Sequence, residues 1–484
     1  MVFNSFIFCG FFLCFFFAYW FLLGRNLKLQ NLLLLAGSYL FYASANWRLL
    51  FILAGITTIN YLLGLFIERS ASQRTRKLLL LAGLVQGIGG LLYFKYFNFF
   101  IDAFRDAFSL LHINLNLQSL NIIVPLGISF FTFRTISYLL DVYNEKMAAV
   151  KDWVIFFTYV SFFPSLLSGP IDKAVKFVPQ LERKREFNYL QLTTGLRQIL
   201  WGLFKKVVIA DNCGVFTNQV FDNFQHLPAS SLLLGIFLYT IQVYADFSGY
   251  SDMAIGIARL LGFNITRNFD YPFFAQNIAQ FWRKWHISLT SWFTEYVFTP
   301  LSIAFRDLGQ TGLILAILIN LTIVGMWHGA NWTYLLFGLI HGVLFIPLIL
   351  KGTMNKTKKI KPGKFLPTFR EFLNMAGTFI TVMLTIILFR SENINQAFHF
   401  FTGLFSLTLF SNPVMPVSSS GLILTSILVI LMMLIEWLGR DDEFAIIRLG
   451  YKWPTVARWT LYYVMIIAIF YFSGNEQQFI YFKF

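Results

Sequence analysis

Long apolar runs separated by short polar loops recur along the whole chain, and this pattern constrains the fold more than any other feature. Of the 484 residues, 57% are hydrophobic and 13% are charged, with a mean hydropathy of +0.64. Because a soluble domain carries about 25% charged residues, this chain lacks the polar surface that a soluble protein of its length needs. The composition therefore excludes a soluble enzyme, a disordered chain and a disulfide scaffold, and it predicts an integral membrane protein.

The apolar runs predict an all-α polytopic membrane protein with one integral domain over residues 1–484 and about 11 to 13 apolar segments. A full span needs about 20 residues, so the shorter runs are predicted to be partial or re-entrant. Positive residues follow the first run rather than precede it, so we interpret it as a retained span whose N-terminus lies outside. The predicted runs are Val2–Leu23, Leu29–Tyr42, Leu49–Ile67, Leu78–Phe97, Ile122–Leu140, Trp153–Leu167, Leu192–Ala210, Leu232–Tyr244, Leu313–Met326, Tyr334–Leu350, Phe372–Phe389, Leu422–Leu438 and Thr460–Phe472.

The charge pattern predicts an orientation. The chain has 38 Lys and Arg against 23 Asp and Glu, and the excess lies in short loops, which is typical of the positive-inside rule rather than of nucleic-acid binding. The loops Arg69–Lys77, Lys173–Arg185 and Lys351–Arg370 are therefore predicted to be cytoplasmic. If both Ile122–Leu140 and Trp153–Leu167 crossed, Lys173–Arg185 would lie outside, so one middle run is predicted not to cross. Broken backbone at membrane depth needs a protein or a wet cavity around it, which indicates a cavity in mid-chain.

The spacing of Cys and His residues gives no support to a metal site. The three cysteines form no Cys-x-x-Cys pair. No two of the six histidines have the i, i+3 or i, i+4 spacing of a helical metal site. The sequence therefore predicts no metal ligands and no bound cofactor.

His328 is the first candidate for chemistry. It lies in the block Gly325–Trp332, and no Asp, Glu, Lys or Arg occurs from Leu308 to Leu350. Uncharged surroundings disfavour the imidazolium form, and a general base has to be neutral. The neighbouring small residues would let a substrate or another backbone approach closely. The alternative is a buried histidine that hydrogen-bonds between packed helices.

His286 is the second candidate, in the block Phe-Trp-Arg-Lys-Trp-His-Ile-Ser-Leu. On one continuous helix, Trp282 and Trp285 would share a face, which predicts an amphipathic helix at the membrane interface with Trp at headgroup depth. The alternative is a cationic, aromatic rim for a nucleotide-bearing acyl donor, with Arg283 and Lys284 near its phosphates. The residues themselves leave both interpretations open.

Two carboxylates, Asp246 and Asp252, lie in an otherwise apolar stretch. Ionisable residues within the membrane are costly and are functional candidates by default. The same residues could instead be structural, paired with Arg259 or Arg283. Both interpretations stay open on the sequence.

Two segments in mid-chain combine Pro and Gly with aromatic residues. They are Val124–Arg134 and Phe163–Ile171. Such segments predict broken or re-entrant structure, in line with the orientation conflict above, and the alternative is an ordinary helix kink.

Taken together and in order, these blocks resemble the membrane-bound O-acyltransferase family, and within it the bacterial alginate O-acetyltransferase-like branch. The resemblance covers nearly the full length. One departure is Glu295 before Tyr296, where the branch usually has an Asp-Tyr pair, and another is the short stretch Leu301–Gly312. The matching blocks are Pro125–Phe133, Ser168–Ile171, Gly202–Asp211, Gln242–Ala254, Phe281–Leu289, Met326–Trp332 and Phe479–Phe484.

The resemblance implies a helical core with re-entrant segments and a funnel or tunnel through the membrane. It implies that His328 is the essential histidine of the family and that His286 is a second important position. The implied donor- or substrate-binding residues are Arg283, Lys284, Trp285, Trp327, Asn331 and Asp246.

The resemblance also implies a function. The chain would be a multi-pass inner-membrane acyltransferase that uses acetyl-CoA or a similar cytosolic thioester to O-acetylate an exported or envelope polysaccharide, such as an alginate-like polymer, cellulose or peptidoglycan. Members of this branch typically hand the acyl group to an extracytoplasmic partner, here an SGNH-type acetyltransferase. The alternatives are D-alanyl transfer to teichoic acid, a polysaccharide transporter or flippase, and a structural subunit of a synthase complex.

Overall fold

The computed structural model describes residues 1–356, 365–414 and 419–480, and all regular structure in these ranges is helical. Seven helices there are long and apolar enough to cross a membrane, and two shorter apolar helices are Phe6–Leu22 and Thr455–Tyr471. The predicted all-α polytopic class is therefore confirmed. The seven helices are Trp47–Arg69, Gln73–Ser109, Ala229–Leu260, Arg306–His328, Trp332–Leu350, Phe369–Arg390 and Ser419–Leu438.

Contacts divide the chain into two compact units. The first unit consists of Met1–Gly195 and Ala254–Thr266, and the second consists of Leu196–Met253 and Arg267–Phe484. The single integral domain over residues 1–484 stays a prediction. The α-helices of the first unit are Phe6–Phe17, Leu27–Ala43, Trp47–Arg69, Gln73–Leu91, Phe97–Ser109, Ile128–Tyr143, Trp153–Ser161, Phe163–Leu166 and Ala174–Glu182.

The second unit holds both candidate histidines. Two helices, Tyr189–Leu203 and Ala229–Leu260, contribute residues to each unit. The α-helices that lie within the second unit are Asp211–Asp222, Ile278–Lys284, Ile287–Phe293, Thr299–Ala304, Gly309–His328, Trp332–Leu350, Phe369–Thr385, Ile387–Arg390, Ile394–Gly403, Ser419–Leu438 and Thr455–Tyr471.

The two Pro- and Gly-containing segments of the first unit are broken rather than kinked. Gly127 takes a left-handed conformation (φ 71°) before helix Ile128–Tyr143, and a Cβ atom there would lie 2.6 Å from the carbonyl oxygen of Leu166. Buried Arg134 donates hydrogen bonds to both oxygens of Ser165 and to the carbonyl oxygen of Pro170. A guanidinium has five donors and no acceptor, so this side chain satisfies carbonyl groups that the broken helices leave unpaired.

The predicted run Trp153–Leu167 consists of helix Trp153–Ser161 and the short helix Phe163–Leu166. Nine residues of α-helix extend about 14 Å, whereas the hydrocarbon core of a bilayer is about 30 Å thick. This run is therefore too short and too broken to cross as one helix, and the prediction that one middle run does not cross stays a prediction. The funnel or tunnel stays a prediction.

The predicted run Leu232–Tyr244 was wrong in its C-terminal limit. Helix Ala229–Leu260 (hereafter the long helix) has 32 residues and continues through Asp246 and Asp252. The two carboxylates interrupt the apolar pattern but not the helix, because each forms an ion pair with a buried lysine of the second unit. Charge compensation from a distant segment thus lets a helix continue where its own sequence turns polar.

Two predicted segments lie partly outside the described residues. The basic loop Lys351–Arg370 includes residues 357–364, and the block Phe479–Phe484 includes residues 481–484. The cytoplasmic placement of the three basic loops stays a prediction.

Candidate active site

His328 is the last residue of helix Gly309–His328, and its side chain is buried, with 3% of the residue exposed. The next residue, Gly329, has extended backbone and starts the turn into helix Trp332–Leu350. The His328 ring centroid lies 4.7 Å from that of Phe389 and 6.5 Å from that of Phe337. Aromatic side chains therefore form part of its surroundings.

The glycines near His328 serve the close approach of two helices, Gly309–His328 and Trp332–Leu350 (hereafter the helix pair). A Cβ atom on Gly325 would lie 2.3 Å from the carbonyl oxygen of Tyr334, and one on Gly338 would lie 2.2 Å from that of Leu321. The sequence analysis considered two groups that could approach these small residues, a substrate or another backbone. At Gly325 the structure shows that the neighbouring group is backbone, that of Tyr334. Small residues at such contacts are typical of membrane helix packing.

His286 does not lie on an amphipathic interfacial helix, and that interpretation was wrong. The block forms two short helices, Ile278–Lys284 and Ile287–Phe293, and His286 joins them with left-handed backbone (φ 45°). Trp282 and Trp285 are buried, and His286 is fully buried, so the block is part of the protein interior. The prediction from helical periodicity was wrong because it assumed one continuous helix, whereas the chain changes direction at His286.

Asn268 holds the His286 break in place. Its carbonyl oxygen accepts a hydrogen bond from the Ile287 amide (2.8 Å), and its Oδ1 accepts one from Ser288 Oγ (2.6 Å). Loss of hydration on burial lowers the pKa of His286 to about 3, so this ring is neutral at pH 7.

Trp327 contacts the rings of both candidate histidines. Its ring centroid lies 5.6 Å from that of His286 and 4.7 Å from that of His328. Phe247 of the long helix also contacts His286, with 4.7 Å between the ring centroids. The structure therefore brings His286 together with Trp327 and His328, which the sequence analysis named from a different block, and aromatic rings contact both histidines.

The basic candidates of the block differ in how far they are free to meet an anion. Arg283 is exposed and donates a hydrogen bond to the carbonyl oxygen of Met354 (3.1 Å). Lys284 lies 3.5 Å from a carboxylate oxygen of Asp270, which already offsets its charge. Trp285 is buried against other aromatic rings, with its nearest contact to Phe269 at 5.1 Å. Of the two basic residues, Arg283 is thus the better placed to bind a phosphate group.

Asn331 is a helix cap. Its Oδ1 accepts a hydrogen bond from the Thr333 amide (3.0 Å), and its Nδ2 donates to the carbonyl oxygen of Glu392 (2.6 Å). An Asn N-cap satisfies an amide that the helix leaves unpaired. The structure gives this residue a part in shaping the turn after His328, and its predicted contact with donor or substrate stays untested.

Asp246 belongs to a buried ionic cluster (hereafter the lysine–aspartate cluster). Lys206 Nζ lies 2.7 Å from Asp211 and 2.9 Å from Asp246, and Lys205 Nζ lies 2.6 Å from Asp252. Asp246 also accepts a hydrogen bond from the Ile480 amide. The ion pairs that the structure describes for Asp246 and Asp252 are with these two lysines. Their position inside the apolar run Leu192–Ala210 was the signal that the sequence analysis left unused.

A third buried histidine, His341, was not selected from the sequence. Its ring centroid lies 4.3 Å from that of Phe337, which also contacts His328. No short-range pattern points to it, because its hydrogen-bond partners are 59 and 44 residues away along the chain.

Fold and site together define a class: an all-helical membrane protein with two buried histidines that share an aromatic neighbour. The chain belongs to the membrane-bound O-acyltransferase family, whose model matches residues 105–362, and the predicted O-acyltransferase class is thereby confirmed. The chain is 35% identical to a probable alginate O-acetylase of Pseudomonas aeruginosa, over 84% of this chain and 75% of the relative. It is 32% identical to a peptidoglycan O-acetyltransferase of Helicobacter pylori, over 79% of this chain and 75% of the relative. A teichoic acid D-alanyltransferase of Streptococcus thermophilus is 30% identical over 54% of this chain and 68% of the relative.

Proposed function

We propose that the protein transfers acetyl groups from a cytosolic thioester, acetyl-CoA or a similar donor, for O-acetylation of an exported or cell-envelope polysaccharide. The proposed location is the inner membrane. The relatives that match over most of the chain are named as O-acetylating proteins of alginate and peptidoglycan, whereas the D-alanyltransferase match covers about half of it. The observation that carries the proposal is the pair of buried histidines, His286 and His328, whose rings both contact Trp327.

In this proposal His328 is the general base. A nitrogen of its neutral ring takes the proton of an acceptor hydroxyl, and the hydroxyl oxygen then forms a bond to the thioester carbonyl carbon. The carbon–sulfur bond breaks, and the proton passes from the imidazolium to the leaving thiolate, so charge and atoms balance. A transient acyl-imidazole at His328 is the other use of the same ring. Low polarity around the ring favours the neutral form that either route requires.

The remaining residues have supporting roles in the proposal. His286 would position the donor or the first histidine, since it joins two short helices and its ring contacts Trp327, the residue next to His328. Arg283 would bind donor phosphates through its planar, bidentate guanidinium. The acceptor hydroxyl would belong to an extracytoplasmic partner of the SGNH type, which then acetylates the polymer.

The proposal is tested with purified protein in lipid nanodiscs and acetyl-CoA labelled in the acetyl group. We expect labelled acetyl to reach an acceptor hydroxyl, and His328→Ala to lower this rate by about 10²–10⁴-fold, the usual contribution of general acid–base catalysis. The matched control is His399→Ala, since His399 is an exposed histidine of helix Ile394–Gly403. Transfer from a D-alanyl carrier protein but not from acetyl-CoA would favour the alternative donor, and movement of sugar without thioester consumption would favour a transporter.

The proposed orientation has its own test. Single cysteines in Arg69–Lys77, Lys173–Arg185 and Lys351–Arg370 should be shielded from an impermeant thiol reagent added to intact cells, because Lys and Arg resist translocation. Labelling should appear after the membrane is permeabilised. Ready labelling of Lys351–Arg370 in intact cells would contradict the cytoplasmic placement.

A further inference from the structure

His341 forms a buried hydrogen-bond bridge between two other segments of the second unit. Trp282 Nε1 donates to His341 Nδ1 (3.1 Å), and His341 Nε2 lies 3.0 Å from Thr385 Oγ1. The indole N–H is only a donor, so Nδ1 has to be the acceptor and the ring proton lies on Nε2. Thr385 in turn donates to the carbonyl oxygen of Val382 (2.9 Å). The partners thus select one neutral tautomer and use both ring nitrogens.

Both ends of this bridge lead to a candidate histidine. Trp282 lies in helix Ile278–Lys284, four residues before His286. Thr385 ends helix Phe369–Thr385, four residues before Phe389, whose ring contacts His328 at 4.7 Å. His341 therefore connects the segment that carries His286 with the segment that carries an aromatic wall of His328.

A stack of rings reinforces the same connection. Phe337 lies one helical turn before His341, and its ring centroid lies 4.3 Å from that of His341 and 4.8 Å from that of Phe389. Trp282 also packs edge-on against His341, at 5.3 Å between ring centroids. A change at His341 would therefore be transmitted to both sides of the site.

We propose that His341 is a positioning residue for acyl transfer, which sets the spacing between the His286 segment and the Phe389 wall of His328 through its hydrogen bonds to Trp282 and Thr385. This proposal rests on the proposed roles of His328 and His286. A misplacement of about 1 Å at a reacting centre can cost about 100-fold in rate. A substitution of His341 should therefore lower the acyl-transfer rate even where the protein stays folded.

The test separates the hydrogen bonds from the packing. His341→Phe keeps a buried ring but removes both bonds, and Thr385→Val removes one of them with little change of shape. We expect His341→Phe to lower kcat about 10- to 100-fold, with the KM for acetyl-CoA changed less than about twofold. Thr385→Val should have a smaller effect in the same direction, and Thr385→Ser, which keeps the oxygen, should restore kcat. Phe345→Leu is the control for general core damage, since Phe345 is a buried residue of the same helix.

Three outcomes would overturn the proposal: a normal kcat per folded molecule in His341→Phe, a change confined to donor KM, or equal losses of kcat in Phe345→Leu and Thr385→Val. If His341→Phe does not fold, Thr385→Val and Thr385→Ser decide the question alone. The wild-type protein and His328→Ala are assayed together with these variants. An inactive wild type would count against the proposed function, whereas an active wild type with an equally active His341→Phe would count against this inference only.

Discussion

The second unit contains two buried polar regions that differ in how they accommodate ionisable side chains away from water. In the lysine–aspartate cluster, full charges of opposite sign lie within 3 Å of one another, as between Lys206 and Asp246. Around His328 and His286, the contacts that the structure describes include several aromatic rings. The first region compensates its charges, and the second places two imidazole rings among aromatic side chains, where burial lowers the pKa of His286.

This difference changes how an ionisable residue within the membrane is interpreted. A carboxylate within the membrane, such as Asp246, is usually expected to be functional. In this structure, however, Lys206 offsets the charge of Asp246, and Asp246 accepts a hydrogen bond from the Ile480 amide. A carboxylate with a fixed counter-charge and a backbone hydrogen bond suits a structural role. An imidazole can take up a proton and release it near neutral pH, which is what acyl transfer requires.

The largest expected effect separates the two regions by stability. Lys206→Met leaves Asp211 and Asp246 without their shared cation, and breaking a buried ion pair in this way costs about 3–5 kcal/mol. We therefore expect the melting temperature of Lys206→Met in detergent to fall well below that of the wild type, while His328→Ala melts normally. Adding Asp246→Asn to Lys206→Met should recover part of the loss. An unchanged melting temperature in Lys206→Met would remove the contrast between the regions.

The sequence predicted the helical membrane class because apolar content is a property of each segment by itself. It placed the C-terminal limit of the long helix wrongly because Asp246 and Asp252 find their partners in Lys206 and Lys205, about 40 residues earlier in the chain. A hydropathy scale treats every carboxylate as exposed, because it takes no account of an ion-pair partner elsewhere in the chain. The broken segment near Phe163 was predicted correctly, since Pro and Gly act locally.

The second prediction concerns the helix pair that carries His328. Gly325→Ala places a methyl group against the carbonyl oxygen of Tyr334, where the Cβ position lies only 2.3 Å away. Overpacking of this kind costs about 1–3 kcal/mol, and it should also lower the acyl-transfer rate by displacing the end of the helix. Gly377→Ala is the matched control, because a Cβ atom there meets nothing within 4 Å. Equal melting temperatures and equal rates for the two variants would show that the close approach of the helix pair at Gly325 matters neither for stability nor for acyl transfer.

The candidate site was predicted in part. His328 and His286 each stood out in their own blocks, but their common contact with Trp327 depends on a left-handed break at His286 that no periodicity shows. His341 was missed because its partners, Trp282 and Thr385, lie in other helices. Residues whose chemistry is visible in a short block can be predicted, whereas residues that act by joining distant segments need the structure.

The smallest expected effect tests the edge of the histidine region, where Arg283 is exposed. Arg283→Lys keeps the charge but replaces a bidentate guanidinium with a point charge. We expect the KM for acetyl-CoA to rise about 5- to 10-fold, equivalent to about 1 kcal/mol, while kcat stays the same, since the interaction is made equally in the ground and transition states. The measurement is a titration of labelled acetyl-CoA, with Arg306→Lys as the control because Arg306 is an exposed arginine of the same unit. If Arg283→Lys lowers kcat and leaves KM unchanged, Arg283 acts on the chemical step, and the charged edge and the neutral centre of the site are one functional region.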